Sequence, residues 1–133
     1  MNHQGKILVV DDEPDIVETL EFALRRRGFQ VRAARDGAEA MAMARRERPD
    51  LMLLDVMLPG MNGYEISRQL KESMTEEDEF PIVLLTARRV DSPERHEFVS
   101  TWSRADAVLY KPFALERLVG EIEQQLKSRA AAD

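Results

Sequence analysis

Four short apolar runs punctuate the chain: Ile7-Leu8-Val9-Val10, Leu51-Met52-Leu53-Leu54, Ile82-Val83-Leu84-Leu85 and Ala107-Val108-Leu109-Tyr110. Each is too short for a helix and predicts a strand. A weaker fifth strand is expected at Gln30-Val31-Arg32-Ala33-Ala34. Between them the apolar period changes to that of a helix. Ile16, Val17, Leu20 and Leu24 follow Pro14 and stop before Gly28, a helix with a proline start and a glycine end. Asp36-Gly37-Ala38-Glu39 reads as a capping box opening an Ala/Met-rich helix to about Glu47, and Asn62-Gly63-Tyr64-Glu65 as a second box, with Ile66 and Leu70 facing inward. Ser92-Pro93-Glu94 carries start signals for a fourth helix, on which Phe98, Val99 and Trp102 share a face and Trp102 is expected in the core or partly buried. Leu115, Leu118, Val119, Ile122 and Leu126 mark the last helix.

Strands alternating with helices predict an α/β fold, a doubly wound (βα)5 three-layer sandwich around a parallel sheet. The first, third and fourth strands are continuously apolar, as central strands buried on both faces must be. The second carries Arg32 and the fifth has fewer bulky aliphatics, which assigns them to the edges and gives the order 2-1-3-4-5. The acidic stretch Glu72 to Glu79 reads as a long loop. Residues 1–128 form one expected domain and 129–133 a frayed tail.

Composition narrows the chemistry. A chain of 133 residues supports one core. With no cysteine there are no disulfides, thiolate metal sites or Cys nucleophiles. No apolar run reaches the ~18 residues of a membrane span, and the N-terminus lacks a signal-peptide pattern, so no membrane partner and a cytoplasmic location are expected. Short Arg clusters occur, but 25 acidic residues outweigh 19 basic ones, and direct nucleic-acid binding is not expected.

The strand ends carry the chemical signal. The first strand runs into Asp11, Asp12 and Glu13, the third ends at Asp55, the fourth at Thr86 and the fifth at Lys111. A parallel sheet brings all these ends to one edge, with a crevice between strands 1 and 3 where the order reverses. Two carboxylates ~4 Å apart repel by about 4 kcal/mol at an effective dielectric of 20. Three need a cation beyond Lys111, and an all-oxygen set suits Mg²⁺, with Mn²⁺ the alternative. An Asp surrounded by such an ion, a Lys and a Thr can attack phosphorus and hold an acyl phosphate. Taken singly, an Asp-Asp pair after a strand is also an ordinary helix cap.

The stretches ILVVDDEPDI, DLMLLDVMLPGMNGYE, PIVLLTA and YKPF, in this order and over nearly the whole chain, resemble the receiver domain of bacterial two-component response regulators. The resemblance implies a flavodoxin-like fold. It implies that Asp55 is the phosphorylated residue and that Thr86 and Lys111 contact the phosphoryl group. It further implies that Asp12 and Asp55 bind Mg²⁺ directly, with Asp11 acting through water and the backbone carbonyl of Met57 as a further ligand. Pro59 and Gly63 match the loop after the acceptor, and a cis Lys111-Pro112 bond is expected. The implied partners are a sensor histidine kinase or phosphotransfer protein and a downstream protein or output domain. The only catalysis implied is the domain's own phosphorylation and dephosphorylation.

The sequence departs from the family pattern at three places. Val108 stands where an aromatic is usual, Arg104-Ala105-Asp106 replaces Gly-Ala-Asp, and the span from Thr86 to Lys111 is a few residues longer. A second reading is therefore a phosphorylation-independent interaction module on the same fold. A haloacid-dehalogenase-like phosphatase would need Asp-x-Asp after the first strand, and an FMN site would be repelled by Asp11-Asp12-Glu13. His3 and His96 have no partner at metal spacing and are read as ordinary residues.

Overall fold

A computed structural model describes residues 5–87 and 93–132. Its elements are β1 (Gly5–Val10), α1 (Pro14–Arg26), β2 (Phe29–Ala34), α2 (Gly37–Arg46), β3 (Leu51–Asp55), α3 (Gly63–Ser73), β4 (Ile82–Thr86), α4 (Pro93–Ser103), β5 (Ala107–Tyr110) and α5 (Leu115–Ala132). The strands form one sheet in the order β2-β1-β3-β4-β5, every neighbouring pair parallel.

Side-chain alternation along β1, β3 and β4 builds two cores from the same strands. Ile7, Val9, Leu51, Leu53, Val83 and Leu85 face α1 and α5, where Leu20, Leu24, Leu118, Val119 and Ile122 close over them. Leu8, Val10, Met52, Leu54, Ile82 and Leu84 face the other way, against Ala40, Ala44, Ile66 and Leu70 of α2 and α3. Each fully buried Leu, Ile or Val contributes about 1.5–3 kcal/mol of transfer free energy. The sheet is therefore the stiff base on which the strand-end residues stand. At the edge, β2 turns Arg32 outward, 3.2 Å from Glu47.

Local signals set the helix limits. Gly28 takes φ 94°, a left-handed value that lets the chain leave α1 and turn into β2. Asp36 accepts from the Glu39 N–H at 2.8 Å while Glu39 Oε1 accepts from the Arg35 N–H at 2.7 Å. Asn62 and Glu65 exchange a side-chain and a backbone bond at 2.8 and 3.0 Å. The start signal at Ser92 lies outside the described residues. Helix α5 continues through Ser128 to Ala132; its end is rich in alanine, the best helix former, so secondary structure does not change at the expected limit of residue 128.

On helix α4, Trp102, expected in the core or partly buried, stands among the exposed hydrophobics. Phe98 is 69% exposed and Trp102 38%, with Val99 partly buried. The helix packs against α3. The Ser67 hydroxyl donates to the Ser103 carbonyl at 2.9 Å, and Arg68 donates to the Trp102 carbonyl at 2.7 Å while its guanidinium lies 5.1 Å from the centre of the Trp102 ring. These bonds satisfy carbonyls that a helix C-terminus leaves open.

At the sheet edge remote from the strand C-termini, the buried ammonium of Lys71 donates to Glu79 at 3.0 Å, the Phe80 carbonyl at 3.1 Å and Asp106 at 2.7 Å. Asp106 also accepts from the Ile82 N–H at 2.8 Å. All three Lys71 donors are used, which is what a buried cation requires. Among the described residues no helix is long and apolar enough to cross a membrane.

Candidate functional site

The site is made by chain ends of four strands. Beyond β1, Asp11 is fully buried and Asp12 exposed; Asp55, the last residue of β3, is 3% exposed; Thr86, the last of β4, is fully buried. Lys111 follows β5, and its N–H donates to the Thr86 carbonyl at 2.8 Å, which aligns the two strand ends. The Lys111-Pro112 bond is cis, as expected.

Carboxylate oxygens of Asp11, Asp12 and Asp55 all lie within 4.8 Å of one another. The Lys111 ammonium stands 3.1 Å from Asp11 Oδ2, 3.5 Å from Asp55 Oδ1 and 4.0 Å from Glu13 Oε1. Asp11 Oδ1 accepts from the Glu13 N–H at 2.9 Å, so both Asp11 oxygens have partners. The plain helix-cap reading of the Asp pair is thus partly realised: Glu13 occupies the cap position of α1 without a side-chain cap bond, and Asp11 takes its N–H. Asp55 Oδ1 accepts from the Met57 N–H at 3.3 Å.

The loop that places Met57 needs a glycine. The Gly63 N–H donates to the Val56 carbonyl at 2.8 Å, and a Cβ on Gly63 would stand 2.6 Å from the Asp55 carbonyl oxygen and 2.8 Å from Val56 Cα. No side chain fits there, so α3 starts directly against the end of β3 only because residue 63 has none.

Electrostatics follow from this crowding. Burial, then the charge of Asp11, raise the Asp55 pKa above 3.8, with Lys111 and the Met57 N–H pulling the other way. Burial works against the charged form of Lys111, but the hydrogen bond and charge of Asp11, with Asp55 and Glu13, outweigh it and hold that pKa above 10.5. One ammonium faces three clustered carboxylates. The remaining negative charge and the all-oxygen donor set fit a hard divalent cation.

The structure brings together five of the six residues singled out from the sequence by direct contact or carboxylate clustering: Asp11, Asp12, Asp55, Lys111 and, through its N–H, Met57. Thr86 joins through its carbonyl bond to Lys111. Sequence reasoning gave Glu13 no direct role; it sits at the rim of the Lys111 contacts, and its place in the acidic run was the signal for it. His3 lies outside the described residues.

The chain matches the family described as the response regulator receiver domain over residues 7–123. It is 42% identical over 122 residues to the response regulator MprA of Mycobacterium leprae, covering 92% of this chain and 51% of that protein. The chain thus spans about half the length of this curated relative. The BeF3-activated N-terminal receiver domain of Klebsiella pneumoniae RstA superposes with a TM-score of 0.78 at 30% identity, covering 91% of this chain and 97% of that one. The Vibrio cholerae chemotaxis protein CheY4 gives 0.79 at 32% identity, with 90% and 97% covered. By sequence and by fold, this chain belongs to the response regulator receiver domain family.

Proposed function

We propose that this domain works in the cytoplasm as a phosphorelay receiver, taking a phosphoryl group onto Asp55 from a histidine kinase or phosphotransfer protein. One observation carries the reading. The Asp55 carboxylate is almost completely buried, yet it sits in a cluster of three carboxylates within 4.8 Å and 3.5 Å from an ammonium. Such crowding costs stability and serves no packing purpose.

The residues divide the work by what already engages them. Both Asp11 oxygens are taken by Lys111 and the Glu13 N–H, which suits a water-mediated role. Asp12 and Asp55, with the Met57 carbonyl, would hold Mg²⁺ or Mn²⁺. Held there, such an ion would offset the negative charge of the phosphoryl oxygens as they approach Asp55. The Asp55 oxygen attacks phosphorus, the bond from phosphorus to the donor nitrogen breaks, and the electron pair leaves on that nitrogen. Lys111 pairs with a phosphoryl oxygen once the carboxylate charge of Asp55 has been consumed in the acyl bond. The Thr86 hydroxyl donates to another. Beside Lys111 a groove of about 470 Å³, lined by Ile16, Leu20, Pro112 and Phe113 among others, is the place we assign to the donor protein.

Incubation with a small phosphodonor and Mg²⁺, followed by mapping of the label, tests the assignment. Label on Asp55, absent from Asp55→Asn, is the expected result. Label elsewhere, or full labelling of Asp55→Asn, refutes it. Absence of any labelling would favour the phosphorylation-independent interaction module, a reading that the short aliphatic Val108 on β5 keeps open.

A further inference from the structure

We propose that Met57 is an oxidant-sensitive modification site whose conversion to the sulfoxide shortens the life of the phosphoryl group on Asp55; the second half rests on the receiver reading above. The first half rests on exposure and chemistry alone. The chain has no cysteine, so thioethers are its most readily oxidised groups. Of the methionines in the described residues, Met52 is fully buried, and Met41, Met43, Met61 and Met74 pack partly buried against the core. Met57 alone among them is strongly exposed, at 56%. Among the methionines of the described residues, the Met57 sulfur is therefore the one a peroxide reaches first. The sulfur is oxidised and forms the S=O bond, the O–O bond of hydrogen peroxide breaks, and water leaves.

The position gives the modification a consequence. The Met57 N–H donates to Asp55 Oδ1 at 3.3 Å, which holds the backbone of residue 57 against the acceptor carboxylate while its side chain stands in solvent at the rim of the site. A thioether is a weak hydrogen-bond acceptor and leaves nearby water unoriented. A sulfoxide oxygen is polar and accepts from water, so oxidation exchanges an apolar side chain, two residues on from Asp55, for one able to hold a water at the rim of the site. Hydrolysis of an acyl phosphate consumes one water. Orienting it by one hydrogen bond is expected to speed dephosphorylation about fivefold to tenfold. Because the side chain is exposed, the added oxygen needs no repacking of the core.

Graded hydrogen peroxide is applied to the intact protein, and peptide mass spectrometry records the order in which methionines gain oxygen. Met57 should be modified before Met41, Met43, Met61 and Met74; modification of any of these first overturns the site. The oxidised protein is then loaded with a small phosphodonor and Mg²⁺. The half-life of its phosphoryl group should fall about fivefold to tenfold and return after treatment with methionine sulfoxide reductases. Met57→Leu supplies its own untreated baseline, which peroxide should no longer change. A peroxide response that persists in Met57→Leu, or an unchanged half-life in the oxidised wild type, overturns the coupling. Failure of the untreated protein to take up phosphate counts against the receiver reading instead, while the order of oxidation still decides the site.

Discussion

Asp11 Oδ2 and Lys111 Nζ stand 3.1 Å apart although 100 residues of chain separate them. The pair exists because β1 and β5, with β3 and β4 between them, end at the same edge of the sheet. The same ammonium is 3.5 Å from Asp55, so one positive charge is shared between two buried carboxylates, and among the described residues no ion pair reaches Asp12. The unliganded site is therefore electrostatically frustrated, and its stability should respond to anything that removes or balances a negative charge.

Removing the charge of Asp55 should stabilise the metal-free fold. The Asp55 pKa is raised above 3.8 by burial and then by Asp11. A carboxyl that binds its proton more tightly when folded lowers stability while ionised. The loss is recovered as pH falls from the raised folded value towards 3.8. Lys111 does not confuse this window: its contribution, with a folded pKa above 10.5, is held throughout and lost only at higher pH. With chelator present, Asp55→Asn should melt a few degrees above wild type near neutral pH, the gap closing on acidification. Thermal unfolding at a series of pH values decides, and a variant that melts lower than wild type at neutrality contradicts the repulsion argument.

Balancing the charge should act in the same direction. If Mg²⁺ binds with a millimolar constant, tenfold excess adds roughly 1.4 kcal/mol, a rise in melting temperature of a few degrees. Asp12→Ala removes the exposed carboxylate of the cluster and should abolish the metal response. It should also raise the metal-free melting temperature, since one repelling charge is gone. Scans at low ionic strength, with and without Mg²⁺, check both. A wild type indifferent to the ion speaks against a cation site here.

Much of this was legible in the chain, for a definite reason. Val9, Leu53 and Leu84 belong to strands buried on both faces, and such strands must be apolar throughout, so polarity resumes abruptly where they end. Asp11, Asp55, Thr86 and Lys111 are those resumptions, and parallel topology gathers them. What escaped notice was long-range or outward-facing. Lys71 and Asp106 look like ordinary surface charges in sequence; only the fold brings them to 2.7 Å, in a partly buried tie across 35 residues. Trp102 was expected in the core or partly buried, but apolar spacing on a helix does not reveal what lies opposite. Here α4 is held at its C-terminus by Ser67 and Arg68 of α3, and Phe98 turns to solvent.

Arg104 closes α4 in a conformation that disfavours it. Its φ is 61°, the left-handed region in which a Cβ costs about 1–2 kcal/mol, and its N–H donates to the Thr101 carbonyl at 3.2 Å. Glycine relieves the steric cost but loses about 0.5–1 kcal/mol of chain entropy on folding. Arg104→Gly should therefore gain about 0.5–1 kcal/mol, whereas Arg104→Ala keeps the Cβ and should gain nothing. Chemical denaturation of the three proteins gives the comparison. Equal gains in both variants would show that the arginine side chain, not the backbone, carries the strain.

Phosphorylation should be felt in α4 more than in β5. Val108 packs on the face of the sheet that holds Leu84, in the core closed by Ile66 of α3, and its Cα pairs with Leu84 in the ladder. Valine is short, stiff at χ1 and without a polar tip, so it cannot swing between buried and exposed positions to report a change at Thr86. Tyr110 shares its face by alternation and pairs with Thr86, but it is anchored in a strand whose neighbour β4 is fully buried. Helix α4 is the softer element. It exposes Phe98 and Trp102, and among the described residues its side-chain ties to α3 come from Ser67 and Arg68 at its C-terminal end. Segments with few buried apolar contacts open at the lowest free-energy cost. Amide exchange with and without beryllofluoride, a phosphoryl mimic, should therefore change most in α4 and least from Ala107 to Tyr110. Arg68→Ala, which removes both the bond to the Trp102 carbonyl and the stacking on its ring, should enlarge the α4 response. A dominant change in β5 with α4 silent would place the switch in the strand and reject the argument from Val108.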